Sequence, residues 1–215
     1  MLRSTLASFA LAILAASTFA HATPYVFEPR HSQGVMHWSH LGFSNPNATF
    51  SRIEGTLDWN AAEPSKSSVK ATIPMSAFTT GVPDLDDDFR SEAFFDFARY
   101  PAATFTSTHV EKGADVGGLR VTGDLALHGV TKPVTLDVHI NKVGTNPRNQ
   151  LPTVGFEATA MLKRSDFNLG RFVPQVSDEI RIALTIEAAD AVESARLDAK
   201  EAAEEAAKAA KANGA

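Results

Sequence analysis

The sequence predicts an all-β domain in which roughly eight antiparallel strands close on themselves, with a short helix beside the sheet and a second helix appended at the C-terminus. Three observations carry this expectation. Apolar residues recur at a period of two in segment after segment. Clusters of Gly, Pro, Asn and Asp separate those segments. No convincing helical periodicity falls between them. A sandwich would satisfy the same pattern, but closure is favoured because open sheet edges invite further pairing.

The first 22 residues are set aside as a secretion leader. Arg3 supplies the positive start, Leu6 to Ala16 an apolar run, and Ala20-His21-Ala22 the small-x-small pattern ahead of a cut. That run is too short for a membrane span of roughly 20 residues, so no stable membrane insertion is expected. The barrel domain then occupies residues 23–188. Tyr25-Val26-Phe27 opens it, and Pro29 ends that strand. In the following strand Met36, Trp38 and His40 share one face. Asn45-Pro46-Asn47 is a turn. From Ala48 to Asn60 the parity changes between Phe50 and Ile53, which calls for a break near Ser51-Arg52 or at Gly55. Ser68 to Pro74 is a short strand.

Residues 75–100 depart from the rhythm. Asp86 to Phe95 is expected to be a short helix with acidic residues in its first turn, and Phe89, Phe94, Phe95 and Phe97 give the stretch a dense aromatic character. Alternation resumes from Ala103 to Val110. It is longest from Leu119 to Val143: Leu119, Val121, Leu125 and Leu127 share one side, then Val134, Leu136, Val138 and Ile140 do so. The link from His128 to Pro133 is expected to make these two runs a hairpin. Val154, Phe156, Ala158, Ala160 and Leu162 follow on one face, Ser165 to Asn168 turn, and Ile180, Ile182, Leu184 and Ile186 close the pattern. Residues 189–215 are rich in Ala, Glu and Lys and read as a helical tail with no apolar stripe to dock it.

Composition removes several functions. There is no cysteine, so thiolate metal sites and thiol nucleophiles are excluded, and the exported domain must fold without disulfides. The formal charge of −5 and the lack of a basic cluster argue against nucleic-acid binding. His37 and His40 have opposite parity, and His31 and His37 could share a face but lie too far apart to chelate one ion. The run Asp84, Asp86, Asp87, Asp88 lacks the glycine and terminal glutamate of an EF-hand loop. No G-x-S-x-G elbow is present, and His128 beside Asp124 is ordinary hairpin surface. The residues alone leave the apolar face as either a plain core or a lined pore.

Four spaced blocks narrow that choice. HSQGVMHWSHLGFS, DDFRSEAFFDFARYPAATFTST, GDLALHGVTKPVTLDV, and RSDFNLG followed by VSDEIRIALTIEA together resemble the YceI-like family of bacterial periplasmic, polyisoprenoid-binding proteins, over roughly Pro24 to Ala188. There are departures. Asp88-Phe89-Arg90-Ser91 stands where the family often has His-Leu-Arg-Ser, Asn168 where it often has glycine, and Gly34 where a β-branched residue is common. The resemblance implies an elongated, lipocalin-like barrel in the periplasm. It further implies a non-catalytic protein with no cofactor, holding an isoprenoid lipid, quinone or other long-chain amphiphile. The lining would then comprise Met36, Trp38, Phe50, Phe94, Phe105, Leu125, Leu127, Leu136, Val138, Phe156, Ile182 and Leu184. Arg90, Arg164 and Arg171, with Lys163, are the candidates for a polar headgroup. An apolar outer face would imply a homodimer. The rival expectation is a filled barrel acting as a structural or stress-response protein through partner contacts.

Overall fold

The computed structural model describes residues 22–213, so the leader expected up to residue 22 lies outside the described residues except at its end. Eleven strands form one antiparallel sheet: β1 (Thr23–Phe27), β2 (Gln33–His37), β3 (Asn47–Phe50), β4 (Glu54–Trp59), β5 (Ser68–Pro74), β6 (Phe78–Thr79), β7 (Ala102–Lys112), β8 (Gly118–Leu127), β9 (Val130–Thr145), β10 (Pro152–Lys163) and β11 (Glu179–Asp190). Helix α1 spans Pro83–Arg90 and α2 spans Ala191–Asn213.

Eight of the strands close a ring in the order β1-β4-β5-β7-β8-β9-β10-β11, which returns to β1 where Phe27 faces Ala188. The other three extend strands of the ring. β1 and β2 lie in succession along β11, with Tyr25 opposite Asp190 and Met36 opposite Ile182. β3 and β4 are likewise separated by Ser51–Ile53, where the parity change requires a break. β5 and β6 are separated by a single 3-10 turn at Met75–Ala77. The expected eight strands are therefore present, three of them bent.

The central hairpin is tighter than the expected six-residue link. Leu127 pairs directly with Val130, leaving His128 and Gly129 as the turn, with φ of 50° and 75°. Two positive φ values describe a type I′ turn, whose twist matches that of the flanking strands. Pro133 consequently lies inside β9, opposite Asp124. It is tolerated because the β9–β10 ladder runs only from Thr145/Pro152 to Asp137/Thr159, so no β10 partner calls for its missing N–H.

Helix α1 begins three residues earlier than expected and stops at Arg90. Pro83 presets the first helical φ, and the Asp86 carboxylate ties the first turn to the end of β6. Phe94, Phe95 and Phe97 thus sit in turns beyond the helix rather than on it. At the other terminus β11 runs two residues past the expected boundary. Asp190 Oδ1 then accepts the amides of Val192 and Glu193, an N-cap that starts α2.

Apolar packing is concentrated toward the two ends. At the α2 end, Tyr25, Ile53, Leu57, Trp59, Val154, Phe156, Ile186 and Ala188 form one cluster, with Trp59 edge-on to Phe156. At the α1 end Phe78 contacts Phe50, Phe89, Phe95 and Phe97 at ring-centroid distances of 5.5–6.0 Å.

Candidate functional site: the barrel interior

Between the two clusters the barrel is hollow. The interior holds a cavity of about 200 Å³. Drug-sized ligand pockets occupy about 300–1,000 Å³, so the space is narrow and suits a thin chain rather than a bulky molecule. Residue burial reports the same hollow independently. Phe105, Leu125, Leu127, Leu136, Val138, Ile182 and Leu184 all line the cavity, yet each remains only partly buried. Inward side chains in a filled core would have no such residual exposure.

Alternation places these residues. Along β8, Leu119, Val121, Leu125 and Leu127 point inward, and β9 contributes Val134, Leu136 and Val138 opposite them. Gly34, inside β2, widens the tube locally. A Cβ there would meet Leu184 Cδ2 at 2.5 Å and Phe50 Cδ2 at 3.3 Å, so both side chains lie across the glycine. A β-branched residue at this position would force them aside.

Ten of the twelve side chains expected to line the tube do so: Met36, Phe50, Phe105, Leu125, Leu127, Leu136, Val138, Phe156, Ile182 and Leu184. Trp38 and Phe94 do not. Trp38 is buried edge-on against Phe89, and Phe94 packs between Phe89 and Phe172. Both belong to the packing around the end cluster, because the strand carrying Trp38 ends at His37 and Phe94 lies outside any strand. Sequence reading missed Met75, Phe95, Phe167 and Leu169, which face the cavity from turns where alternation gives no signal. The pair Phe167 and Leu169 does carry a cue. The residue between them, Asn168, is left-handed at φ 59°, which holds the two apolar neighbours in a tight reversal.

Polar groups in the lining are few: Ser67 and Ser68 toward the α2 end, Lys163 and Arg164 toward the α1 end. Ser67 Oγ accepts the Asn60 amide, and Ser68 Oγ donates to Asp58. Arg164 was expected to face a headgroup, but its guanidinium is engaged elsewhere. It donates to the carbonyls of Ser177 (2.8 Å), Leu169 (2.6 Å), Val176 (3.1 Å) and Arg171 (3.3 Å). Burial lowers its pKa, and nearby Asp178 opposes that. Asp178 itself is held below the ordinary carboxylate range by the Ser165 amide and hydroxyl. Arg164 thus clamps the 164–177 segment over the α1 end. Arg90 pairs with Asp87 on α1, and Arg171 lies against the Phe94 and Phe172 rings outside the tube. Neither lines the cavity.

That clamped segment also spans the gap left by the short β9–β10 ladder. Lys132 Nζ reaches Asp166 at 2.7 Å, and His128 Nδ1 lies 3.1 Å from the Phe167 carbonyl oxygen. An apolar tube whose serines and Arg164 are already engaged, with Lys163 exposed at its rim, can sequester hydrocarbon, and its lining offers no preorganised polar group aimed into the space.

Comparison with known proteins agrees with this architecture. The sequence model of the YceI-like domain matches residues 25–188. Protein YceI of Escherichia coli O17:K52:H18 is 36% identical over 160 residues, covering 74% of this chain and 82% of that protein. Protein YceI of Salmonella arizonae is 34% identical over 189 residues, covering 86% and 97%. Among solved structures, BcnA of Burkholderia cenocepacia superimposes with a TM-score of 0.64 at 25% identity, covering 72% of this chain and 95% of that one. A polyisoprenoid binding domain from Saccharophagus degradans shares the fold at a TM-score of 0.58 and 15% identity, covering 77% and 98%.

Proposed function

The chain belongs to the YceI-like family, and from that premise we propose that it is a non-catalytic periplasmic binding protein holding a polyisoprenoid or similar long-chain amphiphile inside the barrel. The observation that carries this reading is the hollow middle, apolar on all sides and walled by half-buried side chains. The polyisoprenoid binding of the Saccharophagus degradans domain supports it as an analogy of fold.

Energetics select a long ligand. Burying a methylene is worth about 0.8 kcal/mol, whereas association costs on the order of 4–15 kcal/mol before any net affinity appears. A short apolar molecule would barely offset that cost in a tube without directional bonds. A chain of several isoprene units exceeds it comfortably. The quinone or pyrophosphate end needs no deep polar pocket if it stays near solvent, with Lys163 the exposed cation at the rim.

The test is to purify the mature protein from a bacterial host without detergent and extract it with organic solvent for mass spectrometry. A stoichiometric hydrophobic molecule is expected. A clean extract, together with no thermal shift on adding a C40-class isoprenoid, would instead favour the structural or stress-response reading.

A further inference from the structure

Single apolar side chains on a surface are ordinary. Three on two adjoining tips are not. Phe43 is 90% exposed, Phe172 54% and Leu41 50%. Leu41 and Gly42 turn through positive φ values of 56° and 75°, and Phe172 has a φ of 64°. Residues with a Cβ rarely adopt this conformation, so the fold holds these side chains outward against backbone preference. The two tips are joined. The Leu41 amide donates to the Gln175 carbonyl at 3.0 Å, and His40 forms a bridge with Val176. The Arg171 guanidinium sits 4.8 Å from the centroid of the Phe172 ring, which places a cation beside an exposed aromatic.

The segment bearing Phe172 is the one clamped by Arg164, whose Phe167 and Leu169 face the cavity. Its outer tip is therefore continuous with the roof of the site. Three protruding side chains on turns are far short of the roughly 800 Å² per partner of a stable protein interface. They do fit a bilayer, where aromatic and aliphatic tips sink to headgroup level and an adjacent Arg meets phosphate. We propose that the Leu41–Phe43 turn and the Arg171–Phe172 tip dock shallowly on an anionic phospholipid bilayer and seat the 164–177 roof against it. This rests on the carrier reading, because a water-insoluble ligand must be collected from a membrane.

The test is flotation of the mature protein with vesicles of phosphatidylethanolamine and phosphatidylglycerol. The Leu41→Asp/Phe43→Asp/Phe172→Asp variant should lose vesicle binding by about tenfold or more. Its uptake of a dispersed apolar fluorophore in vesicle-free buffer should match the parent, with only a small drop in melting temperature from the lost Phe172–Phe94 contact. Phe43→Asp alone, at a side chain that touches little, provides the same comparison should the triple variant fold poorly. Equal flotation of parent and variant, or none by the parent, overturns the proposal. So does a parent dimer that the variant splits, without any vesicle dependence. Failure of the carrier reading would show separately, as no fluorophore uptake by either protein.

Discussion

The middle of the barrel and its α1 end are made from the same kinds of residue and reach opposite states. At the end, Phe78, Phe89, Phe95 and Phe97 interlock, because α1 and the turns after it bring rings back over the opening left by the two-residue β6. In the middle, Leu125, Leu136 and Ile182 face one another across space that no segment enters. Hydrophobicity alone therefore does not fill a barrel. An eight-stranded ring is wide enough to need something inside it, and here the chain supplies that only toward the ends.

The largest expected effect tests this contrast directly. Phe89→Ala removes a ring touching Trp38, Phe78, Phe94 and Phe95. It should cost about 3–5 kcal/mol and lower the melting temperature by on the order of 10 °C. Leu136→Ala, beside an existing hollow, should cost only about 1 kcal/mol, since it opens little new cavity. Similar losses for the two variants in thermal denaturation would mean that the middle is as well packed as the end. By the same logic Trp38→Glu should unfold the end cluster rather than report on the tube.

Next comes the tether of α1. Asp86 is buried, which pushes its carboxyl up, but hydrogen bonds from Thr79 Oγ1, Thr80 Oγ1 and the Thr80 amide, with Arg90 nearby, outweigh burial and hold its pKa below the ordinary value. A carboxyl depressed in the folded state contributes stability above its unfolded pKa of about 3.9, lost as pH falls through the lower folded value. Asp86→Ala should cost about 1–3 kcal/mol at neutral pH by leaving these donors unmatched. Its difference in melting temperature from the parent should shrink as the pH is lowered through that range.

Smaller effects sharpen the picture of the tube. Ile182→Trp would cost about 1–3 kcal/mol in a packed core. Here it should cost less and still abolish uptake of an apolar fluorophore, because the ring occupies the space. Gly34→Ala is the mildest. The methyl must displace Leu184 Cδ2 toward the channel, so apparent affinity should fall while stability changes by under about 1 kcal/mol.

The strands and most of the lining were legible because a period of two is a direct imprint of one buried face, as Leu125, Leu127, Leu136 and Val138 illustrate. Residues on turns were not legible. Nothing in the local pattern around Phe94 tells whether it looks into the tube or packs against Phe89 from outside, and Met75 and Phe95 give no cue that they face the interior. The I′ turn was obscured because histidine holds the first left-handed position, where Asn or Asp is the usual signal. Arg164 shows a different limit. A guanidinium at the edge of a cavity looks ready for an anion until the carbonyls of Leu169, Val176 and Ser177 are seen to claim it.

The short β9–β10 ladder has a mechanical consequence. Along Val130–Leu136 the wall is fastened on the β10 side by the Lys132–Asp166 link and the His128 contact, instead of by a continuous row of amide bonds. Parting that suture disturbs far fewer bonds than prising apart the aromatic stopper, so local opening should begin there. Hydrogen–deuterium exchange should find the first half of β9 less protected than its second half. A greasy thread admitted through such a slit would enter sideways, like a cable pressed into a split conduit.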